Sequence, residues 1–555
     1  MRRTSRSTPR PGGRSRNGRL LLMTAAFVSL FLMMLLRLAF LGLLEPPLLA
    51  DGSKVAANHR PAILDRNGAI LAMDVPISSA FAIPRLIVDI DEAVERITAV
   101  FPALDHRQLY DKLAARTRFA WIKRQITPLE EQALWDAGVP AVSFRSETKR
   151  FYPNGALASH VLGAVDVDNI GISGLEKWME TAGLADLRAS GMDTSADALE
   201  PVVTTIDLRV QHALEAELRK AIEKYSANAA AGLVLQVETG EVFALASLPD
   251  FDPNAPSDAL KPDRINRIAA ANIEMGSTFK ALTTAMAIDS GRYSIHSVID
   301  ASKPLAFGRA RIHDFQGKYR PLSLPEAFIY SSNISMAKMA LDIGRQAHRR
   351  FLQRFGQMET LRTELPESAT PILPKRWDDI ETATASFGHG LAVTPLQASV
   401  GVAALVNGGK LIRPTFIKAS ELAPRLLGTD LVKAETTQAM RYLFQLNAEV
   451  GSARNGRVSG YRIGGKTGTA EKVVDGRYSK TLNITSFMGV VPVDAPKFLV
   501  LTLLDEPKGL PETHGFRTSG WNAVPTGSAV FSRILPMLGE LPSFEVPPGQ
   551  SYSLP

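Results

Sequence analysis

The sequence predicts an α+β protein with a single N-terminal membrane helix, and three observations support this prediction. A charge-free apolar run lies near the start of the chain. Strand-like apolar runs occur in groups that are separated by helix-like stretches, as expected for a sheet covered by helices. The length of 555 residues exceeds what one hydrophobic core supports, so at least two folded units are expected.

Composition and charge exclude several classes of protein. Hydrophobic residues make up 45% and charged residues 21%, which argues against a disordered chain and a polytopic membrane protein. The net charge of +7 is accounted for by seven arginines within residues 1–19, so the rest of the chain offers no basic face and we predict no nucleic-acid partner. Cysteine is absent, which excludes disulfides, thiolate catalysis and cysteine-ligated metals. We predict neither a cofactor nor a metal.

The apolar run after the arginines is long enough to be an anchor. Residues 20–36 contain no charge, and the apolar character continues after Arg37 up to residue 44. About 20 apolar residues span a bilayer, whereas a cleaved signal peptide has a shorter apolar core and a small-residue cleavage site. We therefore expect an uncleaved anchor at 20–44 and a basic cytoplasmic tail at 1–19. The remaining residues would lie outside the inner membrane.

Residues 45–200 are predicted to form a first α+β region. Residues 60–72 alternate short apolar runs around Asn67-Gly68, which is typical of a β-hairpin. Residues 91–138 have more helical spacing, and residues 191–200 are small, acidic and aperiodic, as in a linker.

Residues 201–541 are predicted to form a second region in which an antiparallel sheet is covered by helices. An amphipathic helix is expected at Leu208 to Tyr225, followed by a hairpin at 231–246. Further strands are expected at 462–472, 484–491 and 498–504, with helical stretches in between. Residues 542–555 form a predicted C-terminal tail.

A candidate nucleophile lies at the start of one predicted helix. A hydroxyl needs a neighbouring base to attack at neutral pH, and Ser277 has Lys280 three residues further on, on the same helix face. The spacing alone is weak evidence, because Ser146/Lys149 and Ser335/Lys338 share it.

Two further segments distinguish the Ser277 pair. Ser331 can relay protons, and Asn333 can bind an amide; alone, this segment would be interpreted as a helix cap. Lys466-Thr467-Gly468-Thr469 lies on a predicted strand, where glycine allows close approach. Together and in this order, the segments match the penicillin-recognising set S-x-x-K, S-x-N, K-T-G.

With these motifs, the chain resembles a class B penicillin-binding protein over nearly its whole length, most closely the septal type. Pro61 is a departure, since the family usually has glycine there. The other segments that carry the resemblance are Arg66 to Gly68, Arg150 to Pro153, Gly171 to Glu176, Thr239 to Glu241, Phe251 to Asn254, Phe387 to Gly390 and Thr394 to Gln397.

The resemblance implies a pedestal domain at 45–200 and a transpeptidase domain with a serine β-lactamase-like fold at 201–541. It implies a Ser277 acyl-enzyme that cross-links peptidoglycan stem peptides ending in D-Ala-D-Ala and is inhibited by β-lactam antibiotics. The backbone N–H groups of Ser277 and Thr469 would form the oxyanion hole, and Lys466, Thr467 and Thr469 would hold the substrate carboxylate. Implied partners are a SEDS-type polytopic glycosyltransferase and other division-complex membrane proteins.

The same residues exclude some alternative functions and leave others open. No G-x-S-x-G elbow occurs, and no histidine precedes a glutamate as in H-E-x-x-H zinc sites. A β-lactamase or β-lactam sensor, a noncatalytic division scaffold and an elongation-specific transpeptidase stay open. His389, between Gly388 and Gly390, is either structural or part of the site.

Overall fold

One helix near the N-terminus is long and apolar enough to cross a membrane. In the computed structural model, α1 spans Arg16–Leu43, and Leu21–Phe40 forms its apolar stretch. At 1.5 Å per residue, 20 residues span about 30 Å, the thickness of a bilayer's hydrocarbon core. None of that stretch is buried against protein, so lipid is the environment that suits its exposed leucines, methionines and phenylalanines.

The structure describes residues 16–43, 58–190, 199–419, 425–474 and 477–544. These belong to two compact units: the first comprises 1–57 and 78–145, and the second comprises 58–77 and 146–555. Most of the predicted tail at 1–19 and linker at 191–200, and the predicted tail from residue 545 onward, lie outside the described residues. The predicted domain boundaries stay predictions.

The first unit packs three helices against strand residues. Asp89, Asp105 and Thr127 each cap a helix by accepting a hydrogen bond from a backbone N–H. The structure has a strand, β3, inside the stretch 91–138 that the sequence analysis described as helical. The helices are α2 (Ile90–Val100), α3 (His106–Ala114) and α4 (Pro128–Asp136), and the strand is β3 (Ala120–Ile126), which pairs with residues 78–82 of β2 (Ile70–Ala82).

The first part of the second unit contains the predicted hairpin. Strand β1 (Ile63–Leu64) pairs antiparallel with β2, and Gly68 (φ +90°) takes the left-handed conformation that the turn requires. Strand β5 (Val202–Val203) runs parallel to β1. The other elements here are β4 (Val142–Phe151), which belongs to this unit from residue 146 onward, α5 (Ser159–Leu162), α6 (Gly174–Met179) and α7 (Ala185–Ala189).

A buried ionic network holds this part together. Glu176, which has no exposed side-chain surface, accepts from Arg60 Nε at 2.6 Å and from Arg150 Nε at 2.7 Å. Arg150 also donates to Asp74 at 3.1 Å, and the Tyr152 hydroxyl donates to Glu176 at 3.2 Å. Pro61, the departure from the family pattern, contributes its carbonyl to Arg150 at 2.8 Å.

A five-stranded antiparallel sheet forms the centre of the second unit. Its strand order is β14-β15-β16-β6-β7, so strands from both ends of the predicted transpeptidase region meet. Residue Leu501 pairs with Leu233, which joins the late strands to the early hairpin. The strands are β6 (Ala229–Gln236), β7 (Val242–Leu248), β14 (Gly464–Val474), β15 (Arg477–Val491) and β16 (Phe498–Asp505).

Helices cover both faces of this sheet. In β6, Ala230 and Val234 pack with helices α8 and α16, whereas Leu233 packs with the helices of the other face. This alternation is the period-2 pattern of a strand that is buried on both sides. The helices are α8 (Leu208–Tyr225), α9 (Lys280–Asp289), α10 (Leu324–Ile329), α11 (Asn333–Ile343), α12 (Arg345–Arg354), α13 (Asp379–Ala385), α14 (Pro395–Val406), α15 (Ala434–Val450) and α16 (Ala523–Met537).

Short strands lie outside the main sheet. They form three antiparallel pairs, of which β9–β10 and β8–β11 frame the loop at 313–320 that precedes α10. These strands are β8 (Val298–Asp300), β9 (Leu305–Phe307), β10 (Ala310–Ile312), β11 (Pro321–Ser323), β12 (Leu411–Ile412) and β13 (Leu426–Gly428).

Candidate active site

Ser277 lies in a tight turn at the start of α9. Residues Gly276–Phe279 form a 3₁₀ turn that continues into the helix at Lys280. Gly276 has φ +52°, a conformation that suits glycine. Ser277 is half-buried whereas Lys280 is 1% exposed, so the turn offers a hydroxyl to solvent while its lysine stays in the interior.

The turn is held between β14 and the segment 387–390. A Cβ on Gly468 would lie 2.8 Å from the Met275 carbonyl, and one on Gly388 would lie 2.2 Å from the Gly276 carbonyl. Contacts below 3.0 Å are not tolerated by real side chains, so both positions need glycine. The predicted K-T-G strand therefore runs directly beside the predicted nucleophile.

Lys280 donates its hydrogen bonds to Ser331. Its Nζ contacts Ser331 Oγ at 2.9 Å and also the Ser331 carbonyl. Among the hydrogen bonds of the described residues, none joins Lys280 Nζ to Ser277 Oγ, the contact that the i, i+3 spacing predicts. Lys466 Nζ reaches the same Ser331 Oγ at 3.1 Å. Ser331, which belongs to the second motif, thus joins the lysine of the first motif to the lysine of the third.

The two lysines are buried, and burial disfavours their charged forms. Burial, and then the neighbouring charge of Lys466, lower the pKa of Lys280 well below its ordinary value, while Asp314 opposes the shift. Burial also lowers the pKa of Lys466 to about 7. A lysine with a lowered pKa can be unprotonated near neutral pH and can accept a proton from a hydroxyl.

The segment around Ser331 is both a helix cap and part of the site. Ser332 is the N-cap of α11, and its hydroxyl donates to Asp314 at 2.7 Å. Asp314 also accepts from the Ile334 N–H at 2.9 Å. Asn333 Nδ2 donates to the His313 carbonyl at 2.9 Å. Ser331 itself has φ +57°, a strained conformation for a residue other than glycine.

The K-T-G strand is supported from behind by residues outside the motif. Thr467 Oγ1 lies 2.7 Å from Ser452 Oγ, and Ser452 in turn contacts Asn447. Thr469 Oγ1 accepts from the Ser519 N–H at 3.2 Å. The side chains of Thr467 and Thr469 are therefore both in defined positions next to the Ser277 turn.

The two other Ser-x-x-Lys pairs do not form a comparable arrangement. Ser146 and Lys149 lie on strand β4, where positions i and i+3 face opposite sides. Ser335 is buried in α11, and Lys338 bonds the Asp300 carbonyl at 2.6 Å. Among the residues that the structure describes, neither pair has a second buried lysine at its serine.

His389 packs against the rim of the site. Its ring stacks on Tyr478 at 5.5 Å between centroids, and Glu274 accepts from the Tyr478 hydroxyl at 2.9 Å and from the Gly390 N–H at 3.0 Å. Burial, followed by the charge of Lys280, lowers the pKa of His389 to about 4. His389 is therefore neutral at physiological pH and near enough to Lys280 to sense its charge.

Four supporting residues were not found by the sequence analysis: Asp314, Asn447, Ser452 and Ser519. Each is a single polar residue in a turn or at a helix end, with no periodicity or motif to mark it. Sequence spacing could not have shown that they meet the motifs, because tertiary packing brings them there. In the described part of the chain, no group of three or more His, Cys, Asp or Glu side chains could hold a metal ion.

The fold and motifs correspond to two described protein families. Residues 230–521 match the penicillin binding protein transpeptidase domain, and residues 56–182 match the penicillin-binding protein dimerisation domain. The chain therefore belongs to the penicillin-binding-protein transpeptidases.

Individual relatives are similar over most of their length. The chain is 37% identical to the probable peptidoglycan D,D-transpeptidase FtsI of Caulobacter vibrioides, over 86% of this chain and 81% of the relative. It is 31% identical to the probable peptidoglycan D,D-transpeptidase PenA of Neisseria gonorrhoeae, over 87% and 85%. It is 30% identical to the peptidoglycan D,D-transpeptidase FtsI of Escherichia coli, over 85% and 84%.

Proposed function

We propose that this chain is a serine D,D-transpeptidase that cross-links peptidoglycan stem peptides through an acyl-enzyme on Ser277. The observation that carries the proposal is the convergence of two buried lysines, Lys280 and Lys466, on Ser331 beside the Ser277 turn. The names of the similar proteins, peptidoglycan D,D-transpeptidases, support the same reaction.

In the first step, Ser277 Oγ attacks the carbonyl carbon between the two terminal D-alanines. Lys280, whose pKa burial lowers, accepts the hydroxyl proton. Ser331, hydrogen-bonded to Lys280, passes a proton to the nitrogen of the leaving D-alanine. The N–H groups of Ser277 and Thr469 stabilise the oxyanion, the term that often contributes most to such catalysis.

Strand β14 and the segment Ser331 to Asn333 bind the substrate. Lys466, Thr467 and Thr469 hold the terminal carboxylate, and Gly468 lets the strand approach the Ser277 turn. Asn333 binds an amide of the donor stem peptide. In the second step an amine of a neighbouring stem peptide attacks the acyl-enzyme, forms the cross-link and releases Ser277. Water is the competing acceptor.

The enzyme is anchored in the inner membrane by α1, with the arginine-rich tail in the cytoplasm and the catalytic domain in the periplasm. Arginines before a first span favour this orientation. The enzyme is monofunctional in this proposal, because the pedestal region at 45–200, of which residues 56–182 match the dimerisation domain, is too short for a glycan-polymerising domain as well. A SEDS-type glycosyltransferase and other division proteins are its partners at the septum.

Intact-mass spectrometry of the full chain in detergent, incubated with benzylpenicillin, tests the chemistry. We expect a one-to-one adduct that maps to Ser277 and persists for many minutes. Ser277→Ala should lose it, and Ser335→Ala should keep it, because Ser335 shares the Ser-x-x-Lys spacing without the second lysine. Rapid loss of the adduct with hydrolysed drug would indicate a β-lactamase, and a folded chain without adduct would indicate a scaffold.

Depletion in the source organism tests the cellular role. A septal enzyme should leave filamentous cells that fail to divide, because growth continues without septum synthesis. Rounded or widened cells would instead indicate the elongation-specific alternative. Complementation by Ser277→Ala would contradict a catalytic role in either process.

A further inference from the structure

Thr467 of the K-T-G strand is linked to the end of helix α15 by a chain of polar atoms. Its Oγ1 lies 2.7 Å from Ser452 Oγ. Ser452 Oγ lies 3.1 Å from Asn447 Oδ1, and the Ser452 N–H donates to the same Oδ1 at 3.0 Å. Asn447 and Thr467 are buried, and Ser452 is half-buried.

Asn447 is the residue with the fixed orientation in this series of hydrogen-bonded polar atoms. Its Nδ2 donates to the Gly465 carbonyl on β14 at 2.8 Å, so its amide orientation is set by the strand that it supports. A Cβ on Gly451 would lie 2.3 Å from Asn447 Oδ1, so glycine is needed for the amide oxygen to reach Ser452. The helix end, the glycine and the strand together leave Asn447 one orientation.

The count of hydrogens decides what Thr467 can offer a ligand. A serine or threonine hydroxyl has one hydrogen to donate and two lone pairs to accept. When the Ser452 hydroxyl donates to Asn447 Oδ1, its one hydrogen is used. The Thr467 hydroxyl must then donate its own hydrogen to Ser452 Oγ across the short contact. Thr467 then presents only lone pairs, which a carboxylate, itself an acceptor, repels.

The opposite orientation suits a carboxylate. If Ser452 donates to Thr467 instead, the Thr467 hydrogen is free to bind an anionic oxygen. Asn447 Oδ1 does not lose all its donors in this change, because the Ser452 N–H continues to donate to it at 3.0 Å. Only hydroxyl rotation is needed, and no heavy atom has to move.

We propose that Asn447, Ser452 and Thr467 form a hydroxyl relay that reverses when the carboxylate of the substrate or of a β-lactam binds. The relay rests on the proposed function, which places that carboxylate at Thr467. Ser452 and Asn447 are positioning residues: they act through Thr467 and do not contact the reacting atoms. The chemical class recognised is an acyl-D-amino acid with a free carboxylate.

Two probes that differ in one charge test the relay. Acylation of the full chain in detergent is measured with benzylpenicillin and with its methyl ester. The rate constant for benzylpenicillin divided by that for the ester is a ratio that reports carboxylate recognition. We expect Ser452→Ala to lower this ratio about tenfold, because Thr467 loses the donor that orients and polarises its hydroxyl. Ser452→Thr keeps a hydroxyl and should retain the ratio.

A double-mutant cycle separates the relay from packing. Thr467→Val should lower the ratio, and adding Ser452→Ala should lower it no further, since the two hydroxyls act as one unit. Equal slowing of both probes by Ser452→Ala, with an unchanged ratio, would overturn the relay alone. Failure of Ser452→Thr to retain the ratio would do the same. If the wild-type chain formed no adduct, the proposed function itself would fail.

Discussion

Ser331 Oγ accepts hydrogen bonds from two buried lysines, Lys280 at 2.9 Å and Lys466 at 3.1 Å. The two lysine amines and the Ser331 hydroxyl therefore form a cluster whose lysines are buried, and charges interact more strongly there than in solvent. The charged groups that act on Lys280 come from different elements: Lys466 on β14 lowers its pKa, and Asp314 in the loop at 313–320 raises it. Burial is the largest cause of the lowered pKa of Lys280, and the balance between the charges of Lys466 and Asp314 adjusts that pKa further.

That balance predicts two variants with opposite effects on the pH dependence of acylation. Asp314→Asn removes the negative charge, so the pKa of Lys280 should fall further and the acid limb of the profile should move to lower pH. Lys466→Met removes the positive charge, so the acid limb should move to higher pH. Lys466→Met should also slow acylation about tenfold to a hundredfold through loss of a charged hydrogen bond to the carboxylate.

Measurement of the acylation rate by a fluorescent penicillin between pH 5 and 9 checks both shifts. Lys338→Met is the matched control, because Lys338 bonds Asp300 and lies outside the cluster. Movement of the acid limb in the same direction by both variants would contradict the assignment of Lys280 as the titrating base.

Among single residues, those in the three motifs could be predicted from the sequence, whereas those that support the motifs could not. Ser277, Lys280, Ser331 and Lys466 were predicted because three motifs occurred together. The structure joins Lys280 and Lys466 to Ser331 by hydrogen bonds and places Ser277 in the turn that leads into Lys280. Asn447 and Ser452 were not predicted, since an asparagine in the last turn of a helix and a serine after it have no distinguishing pattern. Their role depends on a distance of 2.7 Å that packing alone determines.

At the scale of elements, the position of strand β14 depends on Gly468. A Cβ there would lie 2.4 Å from Ser486 Oγ, 2.8 Å from the Met275 carbonyl and 2.9 Å from Thr278 Cγ2. The Met275 carbonyl is backbone and cannot rotate away, so the strand would have to move off the Ser277 turn.

Gly468→Ala should therefore reduce acylation by benzylpenicillin about a hundredfold, because small displacements of positioned groups are costly in catalysis. Thermal unfolding should change little, since the strand can shift without losing its pairing. Gly428→Ala is the control: its nearest neighbour is a flexible Leu431 side chain at 3.3 Å. Normal acylation by Gly468→Ala would show that the strand does not need this close approach.

Long elements with a clear period were predicted well, whereas a short strand between two helices was missed. Helix α8 has the predicted bounds, Leu208–Tyr225, because its apolar positions repeat at helical spacing over 18 residues. Strand β3 was missed because it has only seven residues between two helices. Helical periodicity is assessed over about 11 to 18 residues, so the pattern of a seven-residue strand is obscured by the helices on either side.

At the scale of the whole molecule, residues 58–77 and 146–190 fold in the same unit as the catalytic sheet. The network around Glu176 lies in these segments. Two arginines there, Arg60 and Arg150, have fully buried side chains and share the Glu176 carboxylate, and each has a second acidic partner, Glu180 for Arg60 and Asp74 for Arg150. Removing one partner from a buried ionic group leaves uncompensated charge, which costs more than the intact group contributes. The stability of the catalytic unit should therefore depend on a residue that lies outside the transpeptidase family match.

Glu176→Gln should destabilise the full chain by about 3 to 5 kcal/mol. Thermal unfolding, monitored together with the loss of fluorescent penicillin labelling, checks this, and we expect both midpoints to fall together because one unit contains the network and the site. Glu238→Gln is the control, since Glu238 pairs with Lys410 at 3.9 Å on the surface and such pairs contribute about 1 kcal/mol or less. If the Glu176→Gln variant still bound fluorescent penicillin at temperatures where its thermal unfolding signal had changed, the region around residue 176 and the catalytic centre would unfold independently. The dimerisation-domain segments would then not stabilise the catalytic centre.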